Sequence, residues 1–457
     1  MPSRFSYTDR SRRLFPASAF PALLLSALAS LHAFDIEGVQ PAALDQPRIN
    51  VMLRRNPAQQ PLAGKPAPDI MDLLEPKTKP KKAYNIQAFL DTGASGIVIS
   101  SATADSLGIV RITAVNPDNN QSQQVVFHDV GVAGSDQFHV SEPLYFALAP
   151  FHPGTDTQDP ARDYRLIPDP LRLQIGPVSN TAGIMQLLLG NLDVVGMPAL
   201  IGKVVVIDPK PVNQFDDTMR TYVYDPRTPF NLNQAKRNPG IPTTNRHVRL
   251  SYASFARFTH ATPRNAQPPT LTKNPFIGPD PTAHPNAKPD TTPPITLMHA
   301  GKLSTASFLL DTGAAASMIS TEQAAALGIT YAKGTRGTNS PLLDGIPKTK
   351  QFILTVGGIG GGNKSAGFFL DELRVPTRQG DPLIYKPAPV LVCDITVQDP
   401  ATKQQFTLDG IFGMNLLTAT AQLGEGLIPE IGKLVEGAFD WIVFDEPNAI
   451  LGLQLRQ

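Results

Sequence analysis

The sequence predicts an all-β fold assembled from two versions of one unit, and three observations carry that expectation. Pro 45 and Gly 35 among 457 residues, with few stretches of helical period, point to short strands joined by many turns. The segment FLDTGASGIVISSATADSLGI (89–109) aligns without a gap on LLDTGAAASMISTEQAAALGI (309–329), and about half of the aligned positions are identical. Downstream, DVVGMPAL (193–200) aligns on GIFGMNLL (410–417), so that Gly196 pairs with Gly413 and Met197 with Met414. Two duplicated segments in the same order are the signature of an internal repeat.

The length is too great for one ordinary core and divides naturally around the repeat. Residues 1–33 read as an export signal: Arg10, Arg12 and Arg13 precede an apolar run from Ala17 to Leu31, with Ala27-Leu-Ala29 and Leu31-His-Ala33 as cleavage candidates. Ser11-Arg12-Arg13-Leu14-Phe15 also fits a twin-arginine export motif. A frayed apolar tail or an uncleaved anchor would use the same residues. The run is short for a spanning helix, so the expectation is an exported chain, periplasmic, cell-surface or secreted, with no stable membrane insertion once the signal is removed.

Residues 34–260 form the expected N-terminal unit and 295–457 the C-terminal unit. RINVML (48–53) and PITLMHAG (294–301) are taken as equivalent opening strands. An insertion over 54–83 follows the first of them; its Lys77, Lys79, Lys81 and Lys82 suit either a basic prosegment or a solvated loop. In each unit an apolar strand then delivers Asp-Thr-Gly-Ala, at Asp91 and, 220 positions later, at Asp311. A short helix comes next, with Ser100 or Ser320 as N-cap and Gly108 or Gly328 as a left-handed C-cap; Ser320 and Gln323 have capping-box spacing. Hairpins are expected at VVFHDVGVAGSDQFHV (125–140) and FILTVGGIGGGNKSAGFFL (352–370). Each unit ends on an apolar strand with an aspartate, KVVVIDP around Asp208 and WIVFDEPNAILGLQL around Asp445. RHVRLSYASFARF (246–258) alternates as a strand of either unit. Residues 261–294 are Pro-rich, polar and aperiodic, which predicts a linker or an extended strap.

Composition removes several functions. Lys+Arg 40 against Asp+Glu 39 gives a net charge of +1, without a block of like charge, so nucleic acid is not an expected partner. Cys393 stands alone and can form no internal disulfide. His-Glu-x-x-His, paired cysteines and Gly-x-Ser-x-Gly are missing, and the glycines at 357–362 lack dinucleotide-loop spacing. No metal and no cofactor is therefore expected.

The two aspartates carry the chemistry. A carboxylate at the end of an apolar strand is costly to bury without a partner. Twofold packing of the units would bring Asp91 and Asp311 face to face, where two carboxylates about 4 Å apart repel by about 4 kcal/mol at an effective dielectric near 20, or roughly three pK units. Such a pair holds one proton between its members. One carboxylate can then take a proton from water as the water attacks a peptide carbonyl, while the protonated partner bonds the carbonyl oxygen.

The doubled Asp-Thr-Gly-Ala, each followed by an apolar-apolar-Gly segment, resembles the aspartic protease superfamily in its two-lobed, pepsin-like single-chain form. Ala94, Ala314 and the string GMNLL are similar to retropepsins, and FDEPNAILGL is similar to the last strand of a pepsin-like lobe. The resemblance implies two pseudo-symmetric acid-protease lobes with the active site at their interface. It also implies an aspartic-type endopeptidase acting through Asp91 and Asp311, with a protein or peptide substrate. Thr92 and Thr312 would bond across to the opposite lobe, and Gly93 and Gly313 would present N–H groups to the carboxylates. Gly196 and Gly413 would let a strand pass beneath each turn.

A flap is implied as well, at Gly131 and Gly134 in the first hairpin or Gly358, Gly360 and Gly361 in the second. Ala94 and Ala314 stand where pepsin-like enzymes carry serine; without a hydroxyl donor the carboxylate is less stabilised, which predicts activity at milder acidity. A monomer is expected. A non-catalytic module on the same scaffold, binding a peptide, glycan or protein partner, is the alternative from another functional class.

Overall fold

The computed structural model describes residues 34–43, 45–59, 61–62, 86–115, 119–131, 134–151, 164–178, 193–209, 219–226, 240–257, 270–283, 286–359, 361–398, 405–418 and 437–456. The export signal, residues 63–83 of the insertion, residues 261–269 of the linker and Gly360 lie outside them. The fold is predominantly β: a nine-stranded sheet, a twelve-stranded sheet and a five-stranded sheet hold most of the strands, with three two-stranded ribbons beside them among the described residues.

One order of strands occurs twice. In the nine-stranded sheet it runs Arg48–Arg54, Ile86–Leu90, Val194–Val195, Ile97–Ile99, Gln174–Ile175, Gly134–Val140, Val126–Gly131. In the twelve-stranded sheet it runs Thr270–Ile277, Phe308–Leu310, Gly410–Phe412, Met318–Ile319, Ala388–Val392, Gly361–Leu370, Gln351–Gly358. The successive pairings are antiparallel, parallel, antiparallel, parallel, antiparallel and antiparallel in both. The strand that delivers each aspartate is thus enclosed on both edges, and its own side chains are buried, Ile86 and Leu90 in the first and Phe308 and Leu310 in the second.

This order corrects two expectations. The counterpart of the opening strand Arg48–Arg54 is Thr270–Ile277, inside the stretch read as linker, rather than 294–301. Ile295–His299 instead pairs with Lys302–Ala306 and Glu372–Val375 in the five-stranded sheet. The strand escaped a hydrophobic-period reading because its buried face carries Thr272 and Asn274 beside Phe276, while Leu271 on the other face is 56% exposed. The alternating segment at 246–258 is the twelve-residue strand Arg246–Arg257, which pairs with Thr270–Ile277 on one edge and Ile450–Leu455 on the other. Val204–Asp208 and Phe439–Asp445, the two strands ending in aspartate, lie side by side and antiparallel.

The helix signals hold in detail. Ser100 Oγ accepts from Thr103 N–H at 3.0 Å and Ser320 Oγ from Gln323 N–H at 3.1 Å, capping helices Ser101–Ser106 and Thr321–Ala326. Gly108 and Gly328 take φ of +63° and +83° past the two C-termini. The capping box is only half made: the Gln323 side chain accepts from Ser304 Oγ, and the Ser320 N–H bonds Asp409 O instead.

Among the described residues, no helix is long and apolar enough to cross a membrane.

Candidate active site

Each Asp-Thr-Gly turn begins where its strand leaves the sheet. The Asp91 N–H still bonds Val195 O and the Asp311 N–H bonds Phe412 O, both at 3.0 Å, so each aspartate is anchored to the strand that follows its own turn in the sheet order. The chain then reverses and returns two N–H groups to the carboxylate it has just passed. Asp91 Oδ1 accepts from Gly93 at 2.8 Å and Ala94 at 3.0 Å; Asp311 Oδ1 accepts from Gly313 and Ala314, both at 2.9 Å.

The turns are bonded to each other as well as to themselves. Thr92 Oγ1 donates to Leu310 O, and Thr312 Oγ1 donates to Leu90 O, both at 2.7 Å. In return Thr312 Oγ1 accepts from the Thr92 N–H at 3.1 Å, and Thr92 Oγ1 from the Thr312 N–H at 3.2 Å. Both threonines are buried. Each hydroxyl both donates to and accepts from the opposite turn, which fixes the two backbones against each other without water, and the arrangement is reciprocal.

The glycines permit that approach. A Cβ on Gly93 would fall 2.5 Å from Asp311 Cγ, and a Cβ on Gly313 would collide with the Asp91 carboxyl in the same way. Beneath the turns, a Cβ on Gly196 would meet Ala94 Cβ at 2.9 Å, and one on Gly413 would meet Ala316 O at 2.7 Å. Met197 N–H to Ala94 O (2.9 Å) and Met414 N–H to Ala314 O (2.8 Å) tie these strands to the turns above them. Gly413 N–H also reaches Ser317 Oγ at 2.9 Å, a contact that has no equivalent at Gly196 among the described residues.

The two carboxyls interact across the paired turns, each lying against the glycine of the opposite turn. Burial pushes both up from the ordinary 3.8, and the Asp91 charge lifts Asp311 well above it. Against this, the peptide N–H groups of Gly93, Ala94, Gly313 and Ala314 favour the ionised form. Opposed contributions of this kind leave a pair that ionises in two separated steps. Asp91, Asp311 and the glycines beside them are half-buried as whole residues.

The two hairpins occupy equivalent places in the sheet orders, and their tips touch. Val126–Gly131 pairs with Gly134–Val140, and Gln351–Gly358 with Gly361–Leu370, each closing across two residues. A Cβ on Gly131 would lie 2.7 Å from Ile359 Cβ. Phe352, Leu354 and Val356 of the second hairpin pack on the same apolar cluster as Ala314, which joins that hairpin to the second Asp turn.

Sequence reasoning missed Gln46 and Asn274, whose carboxamides reach Gly313 O and Gly93 O. Gln46 lies in a stretch without periodicity and Asn274 in the supposed linker, between Lys273 and Pro275, so neither carries a local signal. No group of three His, Cys, Asp or Glu able to hold a metal occurs among the described residues.

No protein-family model matches the chain, and no curated protein matches it in sequence.

Proposed function

We propose that the chain is an aspartic endopeptidase in which two pseudo-symmetric lobes meet at Asp91 and Asp311. The observation that supports this reading best is the reciprocal bonding of the two turns, Thr92 to Leu310 and Thr312 to Leu90, which sets each carboxyl against the glycine of the opposite turn. The doubled strand order argues for the lobes; the likeness of both Asp-Thr-Gly turns to the aspartic protease superfamily argues for the activity.

In the reaction proposed, the pair holds one proton and a water molecule lies between the carboxyls. The ionised member takes a proton from that water as its oxygen bonds the scissile carbonyl carbon. The protonated member gives its proton to the carbonyl oxygen, so the pair keeps one proton and a neutral gem-diol forms. In the second step a gem-diol hydroxyl returns a proton to the ionised member as the C=O bond reforms. The other proton passes to the amide nitrogen, and the C–N bond breaks to a carboxylic acid and an amine. Either carboxyl can take either part, because the proton belongs to the pair. The hairpins would close over an extended peptide by strand addition.

The test is digestion of casein and a diverse peptide library from pH 2 to 8 by wild type, Asp91→Asn and Asp311→Asn. Each variant is expected to lose at least about a thousandfold in kcat, since the general acid–base term alone is worth 10²–10⁴. With Ala94 and Ala314 beside the pair, the wild-type optimum is expected well above pH 2. Cleavage that survives in either variant overturns the mechanism. A wild type that binds peptides without cutting them supports the non-catalytic module instead.

A further inference from the structure

The two carboxamides that sequence reasoning missed occupy matching positions. Arg48 is opposite Phe89 and Phe276 is opposite Leu309 in antiparallel register. Continuing each register by two residues sets Gln46 against Asp91 and Asn274 against Asp311. Each side chain then crosses to the other turn: Asn274 Nδ2 donates to Gly93 O at 2.6 Å, and Gln46 Nε2 donates to Gly313 O. Asn274 Nδ2 also lies 3.4 Å from Thr92 O. A carbonyl can only accept, so the nitrogen of each carboxamide must face it.

The peptide units reached are significant. Gly93 C=O belongs to the same peptide group as Ala94 N–H, which donates to Asp91 Oδ1. Gly313 C=O belongs to the same group as Ala314 N–H, which donates to Asp311 Oδ1. A donor placed on the oxygen of an amide polarises its N–H and strengthens the bond that the N–H makes, by about 10–30% per bond. Two relays result, Asn274 to the 93–94 peptide to Asp91, and Gln46 to the 313–314 peptide to Asp311.

We propose that Gln46 and Asn274 are positioning residues for the aspartate pair, each holding and polarising one of the two peptide groups that link the opposite turn to its carboxylate. The inference rests on the reading of Asp91 and Asp311 as a working acid–base pair. Other charged groups near the relays are engaged elsewhere. Asp45 accepts from the Gln46 N–H at 2.8 Å, Asp193 bonds Ser100 and Thr103, and Asp409 accepts from Ser307 N–H. Lys273, next to Asn274, is exposed on the opposite face of its strand. Across from Asn274 stands the uncharged Ala253. The groups that set each carboxyl are therefore the other carboxyl and the turn N–H groups.

The experiment compares wild type with Asn274→Leu and Gln46→Met, which keep volume and remove the donor. Two readouts are taken: the pH profile of kcat on a cleaved peptide, and the 13C titration of the Asp91 and Asp311 carboxyls. Loss of a relay makes the ionised carboxylate less stable, so the acid limb and the first carboxyl step are expected to move upward by about 0.3 pH unit, with KM within about twofold of wild type. If both variants lower the melting temperature but leave the limb and the titration unmoved, the amides only satisfy buried carbonyls and the proposal is overturned. If Asn274→Leu does not fold, Gln46→Met, at a half-buried site, decides the question. A wild type that cleaves nothing, yet whose carboxyl titration shifts in the variants, refutes the proposed function while leaving the relay in place.

Discussion

Thr92 and Thr312 show how much one hydroxyl can hold. Replacing Thr92 with valine keeps the β-branched shape but leaves Leu310 O without its donor and the Thr312 N–H without its acceptor, both in a buried setting. Stranding buried polar groups costs about 1–3 kcal/mol each, so Thr92→Val is expected to destabilise the chain by about 2 kcal/mol or more. Thr92→Ser keeps the hydroxyl and is expected to stay within about 1 kcal/mol of wild type. Urea midpoints of the two variants, measured side by side, separate the hydroxyl from the methyl. Equal losses would show that packing rather than the cross-turn bonds is at stake. The sequence alone marked both threonines through the repeat, but their bonds join residues more than two hundred positions apart. Nothing local could state the distance.

Strands and hairpins were legible where their chemistry is local and obscure where it is not. The hairpins at 126–140 and 351–370 follow from alternation and glycine, and the caps at Ser100 and Ser320 from a serine hydroxyl at the start of each helix. Strand Thr270–Ile277 was hidden because tertiary contacts bury its polar side chains, which erases the hydrophobic alternation that marks a strand. That the hairpin tips meet, Gly131 against Ile359, is likewise a matter of how two sheets face each other. Gly131→Val would push the tips apart. If the hairpins close on an extended substrate, KM for a long peptide is expected to rise about tenfold, equivalent to ~1.4 kcal/mol of binding, with a smaller change in kcat. Steady-state kinetics on peptides of increasing length check this; an unchanged KM would mean that the tips do not take part in binding.

At the scale of the whole molecule, the aspartate pair is a burden on stability. In the unfolded chain each carboxyl ionises near 3.8, whereas in the folded state burial and the opposing charge keep a proton at the pair to higher pH. The folded chain therefore binds more protons than the unfolded one above that value, and stability falls as pH rises through the window between the unfolded and folded pKa values. Asp311→Asn removes the second ionisation while its side-chain oxygen can still accept from Gly313 and Ala314. Its melting temperature is expected to exceed that of wild type by a few degrees at neutral pH, with the gap closing as pH falls below 3.8. Thermal scans across pH test this, and a variant less stable than wild type at neutral pH would contradict the raised pKa. A gain in stability with a loss of cleavage is the trade expected of an active centre.

The sequence by itself determined the β class, the two Asp-Thr-Gly turns, the glycines at 93, 196, 313 and 413, and the helix caps, because each follows from short-range sterics and hydrogen bonding repeated in two copies. Only the tertiary structure decided that Thr270–Ile277 completes the second set of strands, that the threonines bond crosswise, and that Gln46 and Asn274 reach the peptides behind the opposite carboxylates. These features depend on contacts between distant segments, where burial can override the local preference of a residue and where a side chain's partner is set by the packing of sheets rather than by its neighbours in the chain.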